Sequence, residues 1–281
     1  MGKQIVSFAG QSIAIDFDHA DAGQLVHFLF CDLKRNHSVA PAITLRIRRA
    51  KGGNGMSLYN GSQRLYHGDS RHALAENLMN ETIYHLIREN KAGHMLHAAA
   101  LSFNGKGVLM PGQSGSGKST LAAWLTHHSL NYLTDELVFL SDTSHRIAPF
   151  TRPICLKEAG VVPLMEQIHI DRQKTLAGAG RMMISHRLIN SDPLLSEPRP
   201  HVILFPHFQA GGDIKLTRLS VAQSGLRLMG CHVNARNLSG HGFGEMVKLA
   251  RNAKSFSVTY NGFDGLLEAL APIISEMVSS R

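Results

Sequence analysis

Nine consecutive residues carry the clearest chemical signal in the chain. The phosphate-loop pattern Gly-x4-Gly-Lys-Ser/Thr is met without a departure by Gly112, Gln113, Ser114, Gly115, Ser116, Gly117, Lys118 and Ser119, and Thr120 follows. Glycines let backbone N–H groups turn inward on a polyphosphate, and a helix that follows adds unpaired donors and the positive end of its dipole. The sequence therefore predicts binding of a nucleoside triphosphate.

The residues around this loop have the order that the motif requires. Residues 106–110 are predicted as a strand that enters the loop, and residues 119–127 as the helix that leaves it. Lys118 would then reach the β- and γ-phosphates, and Ser119 would present its hydroxyl to Mg²⁺. An ordinary Gly/Ser turn is the alternative, but the agreement of strand, loop and helix favours the phosphate loop. ATP and Mg²⁺ are the expected cofactors.

Two adjacent acids follow the loop helix. Asp135 and Glu136 come after the apolar pair Tyr132-Leu133, at a place where the next strand of such folds commonly ends near the triphosphate. An acid is needed there to hold Mg²⁺ or to take a proton from an attacking hydroxyl, and two carboxylates could divide these tasks. Two solvated acids at the end of a strand would show the same spacing, so spacing alone leaves both interpretations open.

Composition describes a soluble globular protein with a basic net charge. Its 281 residues suffice for one large α/β domain, or for a core with a smaller N-terminal unit, and 43% of them are hydrophobic. The net charge of +8 is spread along the chain and dense only around Arg46, Arg48, Arg49 and Lys51. This distribution suits a nucleotide and an acidic partner better than nucleic acid, which we disfavour. The 17 histidines show no metal-ligand spacing.

The sequence also predicts a location. No apolar run approaches the length of a membrane span, and the first residues, MGKQIVSF, lack the apolar core of a signal peptide. Three cysteines lie far apart without a CxxC spacing, which predicts reduced thiols: Cys31, Cys155 and Cys231. We expect a cytoplasmic protein without a membrane partner.

Residues 1–93 are predicted as a mixed α+β unit that packs on the rest. Alternation and turn signals predict strands at 5–8, 12–17 and 43–48, and hairpin turns at Asn54-Gly55 and Asn60-Gly61. Two helices are predicted, one from an Asp21 cap to Leu33 and one over residues 70–90, with Gly93 placed to stop it.

Residues 94–281 are predicted to hold the phosphate loop at the end of a β-hairpin. The hairpin pairs 94–103 with 105–110, and a continuous strand over 130–140 carries the two acids in its middle. Residues 158–200 lack periodicity and are predicted as a mobile loop region. Further elements are predicted as strands at 146–150, 154–156, 201–205, 213–219 and 255–260, and as helices at 221–231, 244–252 and 263–277.

The run from His97 through the loop to Asp135-Glu136 resembles the HPr kinase/phosphorylase family and its HPr-kinase-related relatives. In that family a histidine begins the hairpin before the phosphate loop, and a paired acid follows the loop helix; the second acid is Glu here. Residues 152–157 (RPICLK) look like the RPxxLK segment of the related kinases, and residues 204–206 and 256–260 also match. The resemblance covers about residues 94–275.

The resemblance implies an α/β fold with a P-loop kinase core of the HPr kinase/PEP carboxykinase type over residues 94–281. It also implies transfer of the ATP γ-phosphate to a hydroxyl, with serine favoured, on a peptide, a small protein or a small molecule. The family assembles into rings, which implies a homo-oligomer. This chain lacks the glycine-rich second signature of true HPr kinases, and residues 1–93 do not match their N-terminal domain. The acceptor is therefore left open.

The resemblance also assigns roles. Asp135 would accept the proton of the attacking hydroxyl, and Glu136 would hold Mg²⁺ with Ser119, with Asp135 as a further ligand. Developing charge would be steadied by Lys118, for which Arg152 and Lys157 are additional candidates. His97 would lie near the γ-phosphate as a positioning group or charge partner. Arg152 and Lys157 could equally be solvent-facing basic residues beside Pro153.

Two other classes of protein stay open. The loop also resembles that of transporter-type ATPases, and residues 237–242 superficially resemble their signature segment. However, residues 255–260 lead to Asn261-Gly262-Phe263-Asp264 and not to the Asp-Glu pair of that class. The second alternative is a nucleotide-sensing module that binds without turnover.

Overall fold

The protein has a mixed α/β fold, as the sequence predicts. The structure is a computed structural model that describes residues 1–33, 39–49, 55–190 and 197–279. These residues form sixteen β-strands and seven α-helices, arranged around sheets of five, eight and three strands. Predictions that concern Lys51, Asn54 and residues 191–196 lie outside the described residues.

The N-terminal sheet contains five strands in sequence order. They are β1 (Gly2–Phe8), β2 (Gln11–Phe17), β3 (Thr44–Arg49), β4 (Met56–Asn60) and β5 (Gln63–Gly68). Helix α1 (Ala20–Phe30) connects β2 to β3, which pair in parallel and so need a crossover between them. Helix α2 (Arg71–Ile87) follows β5, and the side chain of Ser70 caps its first turn by accepting a hydrogen bond from the Ala73 N–H.

Two predicted helix ends are wrong. Helix α1 begins after His19, and the carboxylate of Asp21 accepts a hydrogen bond from Arg49 at 2.9 Å, so Asp21 does not cap the helix. Helix α2 ends at Ile87, well before Gly93. Gly93 is instead the first residue of a strand, where a Cβ atom would lie 2.5 Å from the Leu140 carbonyl oxygen. Close packing between strands explains this glycine.

The remaining strands form a larger sheet and a small one. They are β6 (Gly93–Phe103), β7 (Lys106–Pro111), β8 (Asn131–Thr134), β9 (Leu137–Ser141), β10 (Ile147–Pro149), β11 (Ile154–Lys157), β12 (Leu176–Gly178), β13 (Arg181–Ile184), β14 (Arg199–Phe208), β15 (Lys215–Arg218) and β16 (Lys254–Tyr260). The eight-stranded sheet runs β10-β9-β6-β7-β14-β16-β15 with β8 also paired to β6, and β11-β13-β12 form the small sheet. Strands β7, β14 and β16 are parallel neighbours, so their carboxyl ends meet at one edge.

Helices cover both faces of the eight-stranded sheet. They are α3 (Lys118–His127), α4 (Glu158–Gln167), α5 (Val221–Met229), α6 (Phe243–Asn252) and α7 (Leu266–Ser279). Val108 and Val202 point to the side of α3, α4 and α7, whereas Leu109 and Ile203 point to the side of α5 and α6. Burial of both faces explains the near-continuous apolar character of the central strands. Within the described ranges, no helix has the length and apolar character that a membrane crossing requires.

The N-terminal sheet packs against the larger sheet through a shared apolar cluster. The ring of Phe8 contacts those of Phe139 and Phe150 edge-on, with centroids 6.3 and 5.3 Å apart. Leu137 and Met183 join this cluster together with buried residues of α1 and α2. The expected packing of the N-terminal unit on the rest of the chain is therefore present, while the division at residue 93 stays a prediction.

The strand predicted over residues 130–140 is divided into β8 and β9. Both pair with β6, and Asp135 and Glu136 lie in the interruption between them. The Thr134 hydroxyl supports this break, because it donates to the Phe150 carbonyl at 2.7 Å and accepts from the Glu136 N–H at 3.2 Å.

The mobile loop region predicted at 158–200 is wrong for its described part. It contains α4, β12, β13 and two short 3-10 turns. The sequence does not predict helix α4, because the helix contains Pro163 and its two buried residues, Val161 and Leu164, are too few to give the apolar pattern a helical period.

Candidate functional site

The predicted phosphate loop connects β7 to α3, as the motif requires. Gly115 and Gly117 both have φ near +91°, in the left-handed region that glycine adopts without strain. A Cβ atom at Gly117 would lie 3.2 Å from the Phe208 Cβ and would also strike the Tyr260 hydroxyl. That hydroxyl donates to the Gly117 carbonyl at 2.9 Å, and the Phe208 N–H donates to the Ser116 carbonyl at 3.1 Å. The ends of β14 and β16 thus hold the loop in place.

Lys118 folds back onto the loop that precedes it. Its Nζ donates to the carbonyl oxygens of Gly112 and Gln113 at 2.6 and 3.0 Å, and the residue is only 5% exposed. Burial lowers the pKa of Lys118, and the negative charge of Glu136 opposes this shift. The Ser116 hydroxyl is buried in the loop with no hydrogen-bond partner, so its bonding capacity is unused. The loop therefore holds a cation at the cavity, with its ammonium bonded to loop carbonyls.

Asp135 is buried and held on both carboxylate oxygens. Its Oδ1 accepts hydrogen bonds from the Tyr132 hydroxyl and from Arg152 Nε, each at 3.1 Å, and its Oδ2 accepts from the Cys155 N–H at 3.1 Å. The side chain has 0% exposure, and that of Arg152 has 8%. These donors fix the position of the carboxylate and balance its charge.

Glu136 is the more accessible acid, with 28% of its side chain exposed. Its Oε2 accepts from Arg152 Nη2 at 2.6 Å, while His97 Nδ1 lies 3.4 Å from Oε1 and 3.1 Å from the Glu136 carbonyl oxygen. Burial alone would raise the pKa of Glu136, but Arg152 and His97 outweigh it and hold the pKa at about 2. The two acids correspondingly raise the pKa of Arg152 against the effect of its burial. Glu136 is therefore an anion at neutral pH.

Acid is expected to remove the stabilisation that comes from Glu136. The pKa falls from 4.5 in an unperturbed glutamate to about 2 in the fold, so the contribution is complete above pH 4.5 and is lost as the pH falls toward 2. Urea unfolding measured from neutral pH to pH 2 should show a shallower acid loss for Glu136→Gln than for the wild type. If the free energy of unfolding falls with pH in parallel in the two proteins, the pKa of Glu136 is not lowered in the fold.

The acids and the loop border one cavity of about 250 Å³. Of the predicted site residues, those that line it are His97, Ser114, Gly115, Gly117, Lys118, Ser119, Thr120, Asp135, Glu136, Arg152 and Lys157. Gly112, Gln113 and Ser116 belong to the loop but do not line the cavity. Lys157 Nζ reaches the Ser114 hydroxyl at 3.4 Å, so this lysine lies over the loop.

Sequence reasoning missed several residues of this site. The Tyr132 hydroxyl donates a hydrogen bond to Asp135. The cavity wall also contains Arg181, Phe208, Tyr260 and Phe263. Phe208 and Tyr260 end strands that are parallel to β7, and ligand sites of α/β sheets gather at such carboxyl ends. That rule would have pointed to the loops after β14 and β16 once the strand order was known.

The donor set fits a magnesium nucleotide. Among the residues that the structure describes, no three histidine, cysteine or acidic side chains form a metal-binding group. Mg²⁺ needs no such group, because it commonly binds one or two carboxylates together with phosphate oxygens and water. Glu136 and Ser119 line the cavity beside the loop and can supply these oxygen ligands. Both oxygens of Asp135, the further predicted ligand, already accept hydrogen bonds from Tyr132, Arg152 and Cys155.

Comparisons with known proteins add a distant similarity. No protein-family model matches the chain, and no curated protein matches it. Among solved structures, the chain is similar to the Hpr(Ser) kinase/phosphatase from Coxiella burnetii, with 12% sequence identity over 66% of this chain and 99% of that chain and a TM-score of 0.34. Because this similarity is so low, the function has to be inferred from the chemistry of the site.

Proposed function

We propose that the protein is an ATP-dependent kinase that transfers the γ-phosphate to a hydroxyl group, with a serine of a peptide or small protein favoured over a small-molecule alcohol. The observation that carries this proposal is the shared cavity, which brings the phosphate loop and both acids to one place. A P-loop kinase core of the HPr kinase type over residues 94–281, with an N-terminal unit over residues 1–93, is part of the same proposal.

The loop would hold the phosphates, and its lysine would exchange partners. The backbone N–H groups of the loop and of the first turn of α3 would provide donors for phosphate oxygens, apart from the Ser116 N–H, which donates to the Gln113 carbonyl at 3.2 Å. Lys118 would leave the carbonyls of Gly112 and Gln113 for the β- and γ-phosphates. Mg²⁺, when bound, supplies positive charge that neutralises the transferring phosphoryl group. Glu136 and Ser119 would hold the ion, since Glu136 is ionised and both residues line the cavity.

Asp135 would take the proton of the acceptor hydroxyl. The Tyr132 hydroxyl lies 3.1 Å from both Asp135 Oδ1 and the Arg152 carbonyl oxygen, and it has only one proton to donate. If it turns to the carbonyl, Asp135 Oδ1 keeps only the Arg152 Nε donor. Tyr132 would thus act on Asp135 without contacting substrate, because it does not line the cavity.

Three basic residues would complete the charge balance. Arg152 joins both acids and would act mainly by positioning them. Lys157 has only a long contact with Ser114 at 3.4 Å, which leaves its ammonium able to bind the γ-phosphate. His97, at 3.4 Å from Glu136 Oε1, would orient that carboxylate. Membership of a homo-oligomer and the choice of acceptor stay predictions.

Incubation with γ-labelled ATP separates the kinase from its two rivals. Label in an added serine peptide supports the kinase, free phosphate alone supports an ATPase, and binding without turnover supports a nucleotide sensor. Lys118→Ala is expected to lower phosphate transfer by about 10²- to 10³-fold, because a cation that stabilises developing charge is lost. Lys3→Ala, which removes an exposed lysine of β1, is the matched control and should retain wild-type transfer.

A further inference from the structure

The cavity has an aromatic wall that the proposed phosphate transfer does not use. In the order of the large sheet, the acids lie beside β6 on one side of β7, whereas β14 and β16 lie on the other side. The last residues of these two strands, Phe208 and Tyr260, and the chain that follows β16 at 261–263 line the cavity. A ligand whose phosphates occupy the loop would therefore have the acids on one side and aromatic rings on the other.

Phe263 is the residue of this wall with a ring positioned for stacking. Its ring is parallel to that of Trp124, with an interplanar angle of 5° and centroids 5.2 Å apart. Trp124 lies on α3, the helix that begins at the phosphate loop, and is 2% exposed. Because Trp124 covers one face of the Phe263 ring and Phe263 also lines the cavity, the ring can offer its second face to a ligand.

The local backbone fixes this ring relative to the loop. Tyr260 is joined to Gly117 through its hydroxyl, and its carbonyl accepts from the Gln209 N–H at 2.9 Å. The carbonyl of Phe263 accepts from the Leu266 N–H at 3.1 Å, which ties Phe263 to the start of α7. The side-chain amide of Asn261 donates to the Gly212 carbonyl. The segment that carries Phe263 is thus held by hydrogen bonds to the loop at residue 117, to residues 209–212 and to the start of α7, so it is ordered without a ligand.

We propose that Phe263, supported by Trp124, is the stacking platform for the nucleobase of the bound nucleoside triphosphate. The inference rests on the proposed function, because it requires the phosphates to lie in the loop. Aromatic rings bind bases by stacking, which tolerates different bases since each has a π-face. If Phe263 serves only the apolar core against which it packs, the base should add nothing to the affinity.

Titration of the full-length wild type with ATP and with inorganic tripolyphosphate, both with Mg²⁺, tests the proposal without any variant. The chain has a single tryptophan, so its fluorescence reports directly on the residue behind Phe263. ATP is expected to bind at least about tenfold more tightly than tripolyphosphate, which corresponds to about 1.4 kcal/mol, and to change the fluorescence more. Equal affinities would overturn the base site but leave phosphate binding intact. Failure of both ligands to bind would overturn the proposed function itself.

Phe263→Ala provides a second measurement, by calorimetry. The Kd for ATP is expected to rise at least about tenfold, while the Kd for tripolyphosphate stays within about twofold of wild type. Phe243→Ala is the matched control, because Phe243 is 60% exposed at the start of α6 and does not line the cavity. If Phe263→Ala weakens both ligands equally, or weakens neither, the proposal is wrong.

Discussion

Asp135→Asn is expected to lower the rate of phosphate transfer by about 10²- to 10⁴-fold, the usual effect of removing a general base. Asparagine keeps the shape of the side chain, and its single oxygen can still accept hydrogen bonds from Tyr132 and Arg152, although its NH₂ group then faces the Cys155 N–H. It cannot take a proton. Transfer from labelled ATP to a serine peptide, measured under single-turnover conditions, checks this expectation. Full activity in Asp135→Asn would exclude Asp135 as the base.

Glu136→Gln is the matched comparison for this experiment. The loss of phosphate transfer in Glu136→Gln should be relieved in part by higher Mg²⁺ concentrations, because Glu136 is proposed as a ligand of the ion and not as the base. Asp135→Asn should not respond to Mg²⁺ in this way. If the two variants exchange these behaviours, the roles of the two carboxylates are exchanged as well. Glu136 has the greater exposure of the two, which makes this comparison necessary.

Arg152→Met is expected to lower the free energy of unfolding by about 3–5 kcal/mol, because it leaves a buried carboxylate without its counter-ion. Methionine has a similar length and no charge, and the Asp135 side chain that Arg152 neutralises has 0% exposure in the wild type. Urea unfolding at neutral pH measures the difference. In the double variant Arg152→Met/Asp135→Asn, the free energy of unfolding should fall by less than the sum of the decreases in the two single variants, because the buried carboxylate has also been removed.

Arg181→Met is the control for the effect of Arg152. Arg181 also lines the cavity, but its side chain is 47% exposed and its partner Glu76 is on α2. Exposed ion pairs contribute little to stability, so the free energy of unfolding of this variant should fall by at most about 1 kcal/mol. A loss of similar size in both arginine variants would show that burial of the Arg152–Asp135 pair is not what matters.

Much of the fold could be predicted from local patterns. Alternation of apolar residues located β1, β2 and β3, and turn pairs located the hairpins at Asn60-Gly61 and Asn104-Gly105. The phosphate-loop motif is recognisable because its pattern lies in consecutive residues. In each of these cases the deciding interaction lies within a few residues along the chain.

Features that depend on distant partners could not be predicted. The apolar run at 130–140 reads as one strand, and only hydrogen bonds to Arg152 and Cys155 reveal why the chain turns inward at Asp135. Helix α4 is stabilised by packing against distant residues. Its Gly160 lies so close to α3 that a Cβ atom there would strike the Thr120 hydroxyl, and its Leu164 is fully buried. The stack of Phe263 on Trp124 likewise joins parts of the chain that no motif connects.

The apolar cluster shared by the two larger sheets has a consequence for shortened versions of the protein. Leu137 and Phe150 flank the acid pair and the Arg152 segment, yet the surface that covers them belongs to Phe8 and its neighbours. Cutting away the first ninety residues would uncover these side chains next to the proposed active site. A minimal fragment that keeps every proposed catalytic residue would therefore lack the hydrophobic support that holds those residues in place, and its newly exposed apolar surface would favour aggregation.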